Sequence, residues 1–252
     1  MLAELTTEYI FHFTLLFARL GTAFGNFPAL STNYIFMRAK VAFALIVTVI
    51  LLPIVSPYLP KYSDSISMNM SYLMLEVLIG LIISIAAKLY FLSLNFVGQI
   101  LAMQSGLAAA TFFDPNQRSQ VALFSNFLMI ITIVFIFASN THYLYLQAIT
   151  DSYQKFPPGE LLNSADISNF VSYVVNDSFI LSFKLVSPFL IINLAILTAS
   201  GMLARLMPNL QVFFVVTPGQ MLVMFTTMYI VINAIISKLV AQIGISVNVL
   251  GF

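Results

Sequence analysis

Five ionisable side chains stand inside apolar stretches of this chain: Arg19, Glu76, Lys88, Lys184 and Arg205. A charge in hydrocarbon is costly, so such residues face a partner, a cavity or a pathway. Glu76 and Lys88 are twelve residues apart. That is about 18 Å along a helix, too far for the two to pair on one straight helix. Each needs a partner elsewhere. For Arg19 and Glu76 two readings stand side by side, a structural ion pair between helices or a place on a pathway. Lys184 and Arg205 read as side chains that snorkel from a helix end.

His142 follows Ser139-Asn140-Thr141 at the end of a long apolar run. A general base or a metal ligand is the sharp reading, with Asp151 or Glu76 as partner. The other histidine is His12, and no carboxylate motif accompanies either one. A capping or packing histidine is the plainer reading. The patterns H-E-x-x-H, G-x-S-x-G, G-x-G-x-x-G and the P-loop are absent from the sequence. So is cysteine, which excludes disulfides, thiolate-bound metal and a catalytic thiol.

The segment from Gly98 to Pro115 is the most informative. Gly98, Ala102, Gly106 and Ala110 recur four apart, on one helix face. Small residues at this spacing let a second helix approach closely. Gln99 and Gln104 lie on the same stretch and need hydrogen-bond partners wherever lipid is the alternative. Pro115 disfavours helical geometry at Asp114, so a helix should stop there. Asp114-Pro115-Asn116 reads as a turn. An ordinary loop at the membrane surface is one interpretation. A constriction loop, with Phe112 and Phe113 as apolar stoppers, is the other.

These residues need elements to carry them. Sixty per cent of the 252 residues are hydrophobic and 8 per cent are charged. A soluble domain carries roughly a quarter charged residues. Too little polar surface remains to cover a water-soluble fold, so lipid or other apolar subunits must cover part of it. Apolar runs of helical length lie near 9–30, 41–57, 72–95, 96–113, 121–148, 179–204 and 212–236. The expected fold is an all-α integral membrane protein of about six to seven apolar segments. The third and fourth runs form either one long bent helix or a tight hairpin. Residues 149–178 carry Asp151, Glu160, Asp166 and Asp177 against Lys155, and read as an acidic extramembrane segment with a short amphipathic helix near 166–175. Met221, Met224 and Met228 read as adaptable packing, or as a deformable seal.

No repeat or linker divides the chain, so residues 1–252 read as a single domain. A net charge of +1 argues against a nucleic-acid partner. Met1-Leu2-Ala3-Glu4 lacks a basic region ahead of the first apolar run, so the first helix is expected to stay in the mature protein. Arg38, Lys40 and Arg205 favour the cytoplasmic side. That places residues 149–178 outside and has residues 72–113 cross once or re-enter.

The order of these elements resembles a known family. The markers are Arg19 nine residues before Pro28, Arg38-Ala39-Lys40-Val41, and Glu76-Val77-Leu78-Ile79-Gly80. Then come Gly98-Gln99-Ile100, Met103-Gln104-Ser105-Gly106-Leu107, and Ala110-Thr111-Phe112-Phe113-Asp114-Pro115. Asn140-Thr141-His142, Phe156-Pro157-Pro158-Gly159, Ser187-Pro188 and Arg205-Leu206-Met207-Pro208-Asn209-Leu210 complete the set. It resembles the FliR family of type III secretion export-gate subunits. Thr141, Gln117, Arg118 and Thr217 depart from the family's usual residues.

The resemblance implies a non-enzymatic subunit that needs no cofactor. It implies a place in the bacterial inner membrane, at the flagellar basal body or in an injectisome. Its partners would be two small hydrophobic proteins, FliP-like and FliQ-like, with an FlhB-like switch protein alongside. Unfolded protein substrates would pass through the closed pore they form together. The family's plug maps to Gly106–Asn116, with Phe112 and Phe113 helping to block ions and water. The resemblance also implies hairpins partly raised out of the bilayer, which weakens the charge-based topology. A secondary transporter or small-ion channel is the alternative; it calls for a repeated architecture. An intramembrane enzyme is the remaining rival.

Overall fold

The computed structural model describes residues 2–25, 27, 36–105, 119–159, 164–207 and 212–249. Seven α-helices occupy them: α1 (Leu2–Gly25), α2 (Met37–Val55), α3 (Ile66–Gln104), α4 (Ser119–Ala138), α5 (His142–Lys155), α6 (Ser164–Leu206) and α7 (Val212–Val249). A 3₁₀ turn, Ser56–Tyr58, follows α2, and no strand occurs among the described residues. The protein is all-α, with apolar helices of membrane-spanning length. By length and composition four described helices are long and apolar enough to cross a bilayer, or five if the bent pair α4–α5 is one span.

The third apolar run and the fourth as far as Gln104 are one helix. Neither Asn95 nor Gly98 breaks α3, which runs unbroken for 39 residues. At 1.5 Å per residue that is about 58 Å, almost twice a hydrocarbon core of about 30 Å. Conversely, the run 121–148 is two helices, with the break between Ala138 and His142. Asn140 sits there at a φ of 58°. Asparagine tolerates this left-handed backbone better than other side chains do. The amide N–H of Ser139 donates to Phe135 O at 2.8 Å and closes α4. His142 therefore begins α5 and does not end a long helix. The stretch 166–175 is likewise no separate amphipathic helix, because α6 continues through it to Leu206.

The described chain falls into two compact units, each discontinuous in sequence. Unit 1 is Met1–Leu89, Asn140–Val175 and Gln242–Phe252; unit 2 is Tyr90–Ser139 and Asn176–Ala241. In unit 1, α1 packs on α2, with Phe24 and Phe43 edge to face at 5.2 Å. Tyr145 of α5 stacks on Phe27 at 4.1 Å, and its hydroxyl donates to Ala23 O at the end of α1. His12 Nε2 lies 3.0 Å from Pro60 O, which ties α1 to the turn after α2. In unit 2, Leu94, Val97, Leu101, Leu128, Phe189 and Ile235 form a buried core.

Much apolar surface remains outside these cores. Phe179, Phe183, Ile191, Leu194 and Leu197 on α6 are exposed, and so are Val215, Leu222, Phe225, Tyr229 and Ile230 on α7. Faces of this kind are stable only against lipid or another apolar protein surface.

Candidate functional site

Arg19 and Glu76 find each other. Arg19 stands on α1 and Glu76 on α3, and both side chains are fully buried. The contact is bidentate: Nε donates to Glu76 Oε2 at 2.6 Å and Nη2 to Oε1 at 2.8 Å. Parallel bonds of this kind match the planar guanidinium to the carboxylate plane. Helix α5 closes the site from a third side. Nη1 donates to Ser152 Oγ at 2.9 Å, and Nη2 donates also to Phe156 O at 3.1 Å. The Tyr153 ring lies under the guanidinium at 3.7 Å, and its hydroxyl donates to Glu76 Oε2 at 3.2 Å. Buried charges are tolerable when paired and hydrogen-bonded, and here Arg19 donates four such bonds, two of them to Glu76.

Two glycines make the approach possible. A Cβ on Gly80 would overlap Thr22 Oγ1 and the Arg19 carbonyl oxygen, so α3 can lie against α1 at this level only without a side chain. Gly80 is one turn beyond Glu76, on the same face. Gly159, at φ +97°, ends the Pro157-Pro158-Gly159 turn against the Tyr72 ring. Any residue with a Cβ is strained there.

Sequence reasoning named Arg19 and Glu76 but not Ser152 or Tyr153. The signal was present. Tyr145, Ile149 and Tyr153 recur four apart, as do Ala148, Ser152 and Phe156. Both stripes mark helix faces turned inward, and Tyr145, Ala148, Ile149, Ser152 and Tyr153 are all buried. The four acids of 149–178 give the same stretch the polar character of an extramembrane loop.

The other expected residues are scattered. Gly98 and Ala102 are buried on α3, where Gly98 meets the backbone of Ser125 on α4. Ser125 Oγ donates to Asn95 O at 3.1 Å in the same crossing. Gln99, Lys88, Lys184 and Arg205 are exposed. Gln104 ends α3, and its carbonyl oxygen accepts a bond from Gln220 Nε2 of α7. Gly106, Ala110, Phe112, Phe113, Asp114 and Pro115 lie outside the described residues.

Both Glu76 oxygens are held by Arg19 and Tyr153, so this carboxylate is not a free base for His142. Asp151 is exposed on α5. Among the described residues no group of three or more His, Cys, Asp and Glu side chains could hold a metal ion. His142→Ala is expected to leave protein export or motility at the parental rate in a swimming or secretion assay. A loss of the order of a hundredfold, the usual scale of a missing acid–base catalyst, would restore the enzyme reading.

The fold and this site define a multi-helix membrane protein whose helices are pinned by a buried ion pair and whose outer faces are apolar. The chain belongs to a specific family of that class: the family described as bacterial export proteins, family 1, matches residues 10–244. Its relatives include the flagellar biosynthetic protein FliR of Caulobacter vibrioides, 29% identical over 218 residues, covering 86% of this chain and 87% of the relative. The protein of that name from Bacillus subtilis is 24% identical over 229 residues, covering 88% and 86%. That from Escherichia coli is 25% identical over 198 residues, covering 76% and 72%.

Proposed function

We propose that this chain is a non-enzymatic subunit of the flagellar protein-export gate in the bacterial inner membrane. It joins two small hydrophobic membrane proteins, FliP-like and FliQ-like, with an FlhB-like switch protein alongside. Together they form a closed pore through which unfolded substrates leave the cell. The family match across residues 10–244 carries this reading. The exposed apolar faces of α6 and α7 support it, because partner helices can cover them as well as lipid can.

Within that gate, Phe112 and Phe113 act as the plug, next to a proline, Pro115, that disfavours helical geometry at Asp114. An apolar constriction excludes ions and water by dewetting. The direct experiment is purification of the tagged chain from membranes in mild detergent. Two small hydrophobic proteins in fixed ratio are the expected companions; recovery of the chain alone from export-competent cells would overturn the assignment. Deleting Phe112–Pro115 is then expected to make the membrane leak small ions. An unchanged leak, with the complex assembled, would remove the plug from these residues.

A further inference from the structure

The carboxy-terminal end of α3 is finished in an unusual way. The last carbonyls of a helix have no partner within it and need one from outside. Here Ser105 supplies two: its N–H donates to Leu101 O at 2.9 Å and its hydroxyl to Ala102 O at 3.0 Å. Ser105 is fully buried, so these are not positions that water serves. The carbonyl of Gln104, the final residue, is met by a side chain 116 residues away, Gln220 of α7. The same Nε2 donates to Asn193 Oδ1 of α6 at 2.7 Å. An amide nitrogen carries two hydrogens, so both are committed. Asn193 thereby fixes which way the Gln220 amide faces, and its nitrogen is turned to α3. All three residues belong to unit 2.

The energetics favour a purpose for so polar a clasp. Asn193 and Gln220 sit in helices that are otherwise apolar around them, where an amide costs free energy unless it is paired. Packing alone would be served as well by leucine. What leucine cannot do is hold a main-chain carbonyl. That carbonyl belongs to the residue from which the chain departs towards Gly106–Asn116.

We infer that Gln220, oriented by Asn193, is a positioning residue of the export gate: it fixes the end of α3, from which the chain continues to Gly106, against α6 and α7. The role rests on the gate reading above. Gln220→Met removes the donor with little change in volume. In the purified complex it is expected to raise hydrogen exchange at the Met103–Ser105 amides about tenfold, the scale of one lost hydrogen bond. In cells it is expected to raise the small-ion leak per assembled complex severalfold. Asn193→Leu, which removes the acceptor that orients Gln220, should follow Gln220→Met. If Gln220→Met does not assemble, Asn193→Leu carries the same two measurements.

Unchanged exchange in the assembled variants would overturn the clasp. Raised exchange with no added leak, where deletion of Phe112–Pro115 does leak, would overturn its part in the gate. If that deletion itself fails to leak, the plug assignment falls, while the exchange result still decides whether Gln220 holds α3.

Discussion

Arg19→Leu is expected to destabilise the protein by about 3–5 kcal/mol, the scale of breaking a buried ion pair from one side. The reason lies in what stays behind. Glu76 would remain fully buried with only the Tyr153 hydroxyl to serve its two oxygens. Ser152 Oγ and Phe156 O would each lose a donor as well. Three helices meet at Arg19, so the loss is felt by α1, α3 and α5 together. Glu76→Gln is expected to cost less, because a neutral amide keeps an acceptor for the guanidinium. The double variant Arg19→Met/Glu76→Leu should recover most of the loss, since neither charge is then left alone. Thermal unfolding in detergent and the amount of chain in membranes would report all three. An Arg19→Leu protein as stable as its parent would mean that the pair is not what holds these helices together. Under the proposed function, the same variant should abolish motility through loss of the subunit.

Different parts of this protein were legible in the sequence to different degrees, and the reasons are physical. The all-α, apolar character follows from composition, because 8 per cent charge cannot coat a soluble surface. Helix continuity was harder. Asn95 and Gly98 resemble breakers, yet α3 passes through both. Each is answered by tertiary contact: Asn95 offers its carbonyl to Ser125, and Gly98 receives the backbone of Ser125. A residue that weakens an isolated helix can be the one a neighbouring helix requires. The converse holds at Asn140. Nothing in the apolar run 121–148 forbids a continuous helix, and hydropathy does not report that one asparagine adopts a left-handed backbone.

The site was half legible for a related reason. Buried charges advertise themselves, since Arg19 and Glu76 have no reason to sit in apolar runs unless something receives them. The neutral residues that receive them carry no such mark. Ser152, Tyr153 and the Phe156 carbonyl are ordinary in composition and become specific only by position. Gln220 and Asn193 are similar: two amides 27 residues apart, on different helices, with no sequence pattern to join them.

The crossing at Gly98 yields a prediction whose sign runs against the usual rule. Replacing a helical glycine by alanine ordinarily stabilises by about 0.5–1 kcal/mol, because glycine loses more backbone freedom on folding. Gly98→Ala is expected to do the reverse. A Cβ there would overlap the Ser125 nitrogen, Cα and Oγ, and two of those three atoms are backbone that cannot turn aside. Overpacking of this kind costs about 1–3 kcal/mol, and it also threatens the Ser125–Asn95 bond that spans the crossing. Gly201 provides the control. It lies within α6, where an added Cβ would meet no atom within 4 Å, so Gly201→Ala should follow the usual rule and stabilise. The two variants change the same residue type to the same residue type, each inside a long helix. Their melting temperatures in detergent should therefore move in opposite directions. If both rise, α3 and α4 do not meet as closely as the small face at Gly98 and Ala102 demands, and the four-apart pattern loses its meaning as a packing seam.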